Sequence, residues 1–427
     1  MKNEEHTLIL LEGGQIMNDI ISQLSDMKAG QELISEMSVL PLYDENIRSQ
    51  STTSRLIALS ELYNIYIPSP MSVEIYSKLY LALLRSLQKK SSRNARIQQN
   101  ENYKYICQKD CNGILGGADS FTITGNSGIG KSSAITRAID LITAKGVIEV
   151  EKPYTKIIHC LVVQCPFDCS VKGLLLEILR KVDEILNSDY YSKALKSRVT
   201  TDMLIGCVSQ VSLNHIGLLI VDEIQNVVNS KNGKSLVGML TQLINNSGVS
   251  IGMVGTPESV IFFEQALQLA RRSLGLHYGA SEYNQYFYDF CKTLFKYQYT
   301  EHKTDISDSV VRWLYEHSGG ILSVVVSLIH DSQEIAILNG IEKINFQTLN
   351  EAYEKRLSMV HGYIEPTITR KSQTSSRKQK ADEFIISIET ETNTEKIISS
   401  VVTAAKEKGV DVVGLLQEKI TVEVIKV

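Results

Sequence analysis

The stretch FTITGNSGIGKSSAITRAIDL, residues 121–141, decides the fold. It begins as an apolar strand, turns through Gly125, Gly128 and Gly130, and continues as a helix from Lys131. Gly125-Asn126-Ser127-Gly128-Ile129-Gly130-Lys131-Ser132 fits the phosphate-binding loop at every fixed position, in the strand–turn–helix setting that gives the pattern meaning. The glycines let the backbone wrap closely, with amide N–H groups turned inward as an anion nest. The helix start adds its positive dipole end. Lys131 supplies a point charge to the β- and γ-phosphates of a nucleotide, and the Ser132 hydroxyl takes a place on Mg2+. Ser133 completes the cofactor-binding run.

Such a loop needs an acid across the sheet, and HIGLLIVDEIQNV supplies one: a buried apolar strand ending in Asp222 and Glu223. Asp222 is placed to hold the magnesium shell, and Glu223 to polarise an attacking water as general base. An Asp-Glu pair there favours hydrolysis over transfer to a bound acceptor. A further strand, SIGMVGTPE, ends in Thr256, which can sense a γ-phosphate or simply belong to a turn between Gly255 and Pro257. LQLARRSLG places Arg271 and Arg272 at a helix end, where a guanidinium reaching a neighbouring subunit could neutralise transition-state charge.

The rest of the 427 residues sets limits. So long a chain implies two or three domains. The net charge of -4 excludes a polycation, so any DNA contact requires a local basic surface. Two clusters qualify, Arg85–Arg96 and Arg370–Lys380, although each also reads as a solvated helix end or linker. No apolar run is long enough to span a membrane, and MKNEEHTLILLEGG is a poor secretion signal, so a cytoplasmic location is expected. Seven scattered cysteines in that setting predict neither disulfides nor a zinc knuckle.

Along the chain, residues 1–115 read as an N-terminal helical appendage. Residues 116–300 alternate strands and helices, and their continuous apolar strands imply a parallel sheet covered on both faces. Residues 301–366 read as a helical lid, 367–382 as a basic linker without hydrophobic period, and 383–427 as a partner-binding tail.

Together these features resemble an AAA+ P-loop ATPase, with Gly125–Ser132 as Walker A and Asp222-Glu223 as Walker B. More narrowly, GILGGADSFTITGNSGIGKSSAITR, VQCPFDCSVKGLLLEILRKVD, LLIVDEIQNV and GMVGTPE…ARR resemble the TniB/TnsC family, AAA+ regulators of Tn-seven-type transposons. The resemblance implies an ATPase that forms rings or helical homo-oligomers on double-stranded DNA. It would link a target selector (TnsD/TniQ-like) to the transposase (TnsA/TnsB-like) in a bacterial cytoplasm. It also implies Thr256 as sensor and Arg271 or Arg272 as finger, with Ser170, Lys172, Arg198 and Thr200 near the DNA backbone. One departure stands out: HSGGILSVVVSL has Leu322 and Ser323 where many AAA+ lids carry a second sensor arginine, which predicts slow, regulatory hydrolysis. Two other readings stay open from the sequence: a clamp- or helicase-loading ATPase, and a STAND-type signalling NTPase serving as a nucleotide-gated platform.

Overall fold

A computed structural model describes residues 23–107, 120–143, 146–151, 154–196, 199–228, 230–260 and 273–357. Arg198, Arg271, Arg272, the linker 367–382 and the tail 383–427 lie outside the described residues.

The four apolar runs are strands of one six-stranded sheet: β1 (Ser120–Gly125), β3 (Tyr154–Gln164), β4 (Ile216–Asp222) and β5 (Ser250–Gly255). Two further strands, β2 (Val147–Glu151) and β6 (Ser273–Tyr278), complete it in the order β2-β3-β4-β5-β1-β6. β2 pairs antiparallel with β3, and every other pairing is parallel. β5 therefore separates β1, which carries the glycine loop, from β4, which carries the acid pair. This inserted strand, in a mostly parallel sheet between helices, agrees with the AAA+ P-loop expectation.

Helices α1 (Gly30–Met37), α2 (Thr52–Leu59), α3 (Pro70–Lys90) and α4 (Arg93–Ile106) precede β1. α5 (Lys131–Ile142) follows it, and α6 (Val171–Leu186), α7 (Tyr190–Lys196) and α8 (Thr201–His215) connect β3 to β4. α9 (Gly233–Ser247) joins β4 to β5. Beyond β6 come α10 (Gln285–Leu294), α11 (Asp308–Ser318), α12 (Leu322–Leu338) and α13 (Phe346–Arg356). Among the described residues no single helix is long and apolar enough to cross a membrane.

Alternating side chains of one strand feed two cores, as burial on both faces demands. Leu219 and Val221 of β4 pack with α6, α8 and α9, whereas Leu218 and Ile220 pack with α3 and α5. α3 shows how local sequence builds this. Pro70 occupies the first turn, where its missing N–H costs nothing, and Ser69 and Ser72 cap each other's amides. The face Ile75, Tyr76, Leu79, Ala82, Leu83 and Leu87 is then buried. Each such large side chain contributes about 1.5–3 kcal/mol. Lys90, one of the basic residues near the end of this helix, points inward and donates to the Ser212 and Leu213 carbonyls at the end of α8.

A third core joins α10–α13 to residues from before the sheet. Leu59, Leu62 and Ile65 lie among Phe287, Leu314, Val325 and Leu328. Arg55, 2% exposed, forms a two-pronged ion pair with Glu342 at 2.6 and 2.9 Å. α11 and α12 meet at 118°, where Gly319 and Gly320 both take positive φ.

Candidate nucleotide site

The glycine loop leaves β1 and enters α5 through Gly130, whose φ of 96° lies in the left-handed region that only glycine occupies freely. Gly128 is left-handed too, at φ 80°, and an added Cβ would strike the lid residues Ile321 and Ser323. The loop therefore requires glycine for its own turn and for the approach of α12. Lys131 Nζ curls back to donate to the Gly125 and Asn126 carbonyls at 2.7 and 2.8 Å. Burial lowers the pKa of this ammonium below the ordinary lysine value, while Asp222, Glu223 and Glu258 pull it upward.

Ser132 Oγ donates to Asp222 Oδ2 at 3.5 Å, so the two candidate magnesium ligands converge. Both oxygens are of the hard type that Mg2+ takes. Asp222 Oδ1 accepts the Glu223 amide at 2.8 Å. Glu223 holds φ 58°, an uncommon value for a residue with a side chain, and its exposed carboxylate accepts from Gln225 Nε2. The Thr256 hydroxyl donates to the Glu258 carboxylate, which that bond holds below the usual carboxylate range.

These groups line a cavity of about 300 Å³ that contains Lys131, Ser132, Asp222, Glu223, Thr256 and Ser323. Gly128, Gly130, Ser133 and Ser323 also border a neighbouring cavity of about 230 Å³. Its walls are largely apolar, from Ile65, Ile67, Met71, Phe290, Leu322 and Val326. Tyr286 stands there with its hydroxyl on the Ile67 carbonyl at 3.1 Å. A polar cradle with one cation and two oxygen ligands, opening onto an apolar slot, fits a phosphate chain, a divalent ion and a flat ring.

Sequence reasoning placed Lys131, Ser132, Asp222, Glu223 and Thr256, and the fold brings all five to one cavity. It missed Gln225, Glu258 and the slot. The IQN run after Glu223 and the E of GTPE lay inside quoted motifs, so proximity alone could have raised Gln225 and Glu258. Nothing local points to the slot, because it is assembled from four segments far apart in the chain. Of the residues assigned to a DNA face, Ser170 caps α6, its Oγ accepting the Gly173 amide at 3.1 Å. Thr200 caps α8 in the same manner, through the Met203 amide at 3.3 Å. Lys172 is exposed.

Among solved structures, the chain is similar to the Aeropyrum pernix Orc1 protein in complex with DNA, with TM-score 0.41 and 14% identity over 62% of this chain and 64% of that one. The chain thus spans less than two thirds of that Orc1 protein. It is also similar to Aeropyrum pernix Orc2 in ADPNP–ADP complexes, with TM-score 0.39 and 14% identity over 73% of this chain and 72% of that one. The Walker-type ATPase PABY2304 of Pyrococcus abyssi gives TM-score 0.37 and 13% identity over 66% and 75%. No curated protein matches the sequence. Residues 117–276 match the family described as bacterial TniB protein, so the segment that holds the glycine loop, the acid pair and Thr256 carries the pattern of the TniB family on an AAA+ fold.

Proposed function

We propose that the protein is a cytoplasmic ATPase that regulates DNA transposition by assembling on duplex DNA in its ATP-bound state. The observation that supports this most is the convergence of Lys131, Ser132, Asp222, Glu223 and Thr256 on one cavity, within a segment of TniB type. Magnesium-bound ATP supplies the reactive phosphoanhydride. Lys131 would leave the Gly125 and Asn126 carbonyls to hold phosphate oxygens, and Ser132 and Asp222 would hold the ion. Glu223 would take the proton of the attacking water at its carboxylate, with Thr256 fixing that water's position.

The slot beside Gly128 would take the nucleobase. Arg271 or Arg272 would reach the site of an adjacent copy, making nucleotide a joint between subunits. Hydrolysis would then act as a slow release step, in keeping with a serine where a second sensor arginine could stand. Duplex DNA, a target selector and transposase subunits would be the partners, with the tail 383–427 as a tether for the transposase.

Lys131→Ala tests this reading: it should lose ATP binding and DNA assembly together. Retained nucleotide-dependent assembly in that variant would reject it.

A further inference from the structure

The carboxyl end of β3 runs into the loop CPFDCS, residues 165–170, whose Phe167 is 91% exposed. The loop around that ring is firmly tied. The Cys165 amide donates to the Asp222 carbonyl at 2.8 Å, and Asn226 Nδ2 donates to the Cys165 carbonyl at 3.1 Å. Cys165 and Cys169 are buried in the core on either side. The carbonyl of Asp168, next to Phe167, accepts from both Ser230 Oγ and Asn232 Nδ2 at 3.1 Å. Phe167 is thus held out in water by a fixed frame rather than by a slack loop.

The same clamp brings the segment SKNGK, residues 230–234, against the loop. Lys231 stands between the two clamping residues, Lys234 lies in the first turn of α9, and Lys172 in the first turn of α6. All three lysines are exposed. Across residues 165–172 and 230–234 Asp168 is the one acid, and its carboxylate accepts the Ser170 amide at 3.0 Å.

We propose that Phe167 is an apolar wedge for the minor groove of duplex DNA, with Lys172, Lys231 and Lys234 on the flanking phosphates. This rests on the reading that the protein assembles on DNA, and adds which residues grip it. A projecting aromatic with exposed lysines on its own loop and on the segment clamped to it matches a partner with stacked bases between rows of phosphate. Protein–protein interfaces deplete lysine at their centre, which disfavours a second copy as the occupant. The wedge is indifferent to sequence, and the phosphate contacts are salt-sensitive.

The test is fluorescence anisotropy of a labelled duplex with the full chain, ATP and Mg2+, across a salt series. Phe167→Ala should weaken binding about tenfold without altering the salt dependence, since it removes apolar contact and no charge. Phe167→Leu, still a wedge, should retain most of the affinity. Lys231→Ala/Lys234→Ala should flatten the plot of log affinity against log salt by about two. Equal affinity for Phe167→Ala and the parent would overturn the wedge while leaving the DNA reading intact. Absence of nucleotide-dependent binding by the parent would remove the DNA reading itself. If Phe167→Ala instead lost self-association in the absence of DNA, measured by light scattering, the ring would belong against a second copy, and the wedge would fall.

Discussion

The backbone amide of Ser323, in the first turn of lid helix α12, donates to the carbonyl of Gly128 in the phosphate loop at 3.1 Å. The lid therefore touches the loop through main chain, at the position where a long cationic side chain could have stood. α12 has no side-chain cap, so this amide is one of its orphan donors and the loop satisfies it. The link between loop and lid thus rests on the amide of residue 323 and not on its hydroxyl.

Ser323→Pro removes that single donor at a first-turn position where proline is tolerated. A neutral hydrogen bond is worth about 0.5–1.5 kcal/mol, so bound nucleotide should leave about 2- to 10-fold faster. Ser323→Ala, which keeps the amide, should release at the parent rate. Stopped-flow release of a fluorescent ATP analogue measures both, and equal rates for all three proteins would break the proposed link.

Glu223→Gln should keep nucleotide binding and slow turnover about 100-fold or more, the usual share of a general base. Phosphate release and equilibrium binding, measured side by side, separate the two effects. Undiminished hydrolysis would assign the base elsewhere.

Acid should destabilise the fold early. His159 is 1% exposed, and neither ring nitrogen has a hydrogen-bond partner among the described residues. Burial lowers the pKa of His159, and of His215, below the ordinary 6.5. The unfolded chain then binds protons that the folded chain refuses, so stability is full above pH 6.5 and falls as the pH drops below it. Melting temperature followed from pH 8 to about pH 5 should decline in the lower part of this range, and His159→Leu should flatten the decline. A flat profile for the parent would contradict this account of the buried rings.

Arg55→Ala leaves the Glu342 carboxylate without its two-pronged partner, between a helix that precedes the sheet and the lid core. Removal of one member of a buried pair should cost about 3 kcal/mol. Denaturant unfolding of the full chain gives the value, and a change under about 0.5 kcal/mol would class the pair with exposed surface bridges.

The glycine loop and acid pair were legible because their physics is local: each motif carries its own turn, charge and strand. Of the four central strands, β1, β4 and β5 are buried on both faces, which made their short runs between turn residues legible. β3 was legible from its apolar run, although Val162 is exposed. β2 was not, since VIEVE alternates apolar residues with glutamate, as an edge strand does, and so lacks the continuous apolar run. β6 was hidden for a different reason: in SLGLHY, Gly275 and His277 break up the apolar run. The proximity of Ser323 to Gly128, and of Ile67 to Tyr286, arises from tertiary packing of segments far apart in the chain. No periodicity encodes it. Phe167 was quoted within a motif, yet its exposure depends on clamps from Ser230 and Asn232 that no local pattern reveals.

The central claim is that nucleotide in the Gly125–Ser132 cradle joins copies of this chain along DNA. Negative-stain electron microscopy of the parent and Glu223→Gln on random-sequence duplex, with ATP and after nucleotide is stripped away, tests it directly. Ordered assemblies should form with ATP alone and persist longer in Glu223→Gln. Equal coverage of the duplex by nucleotide-free protein would contradict it.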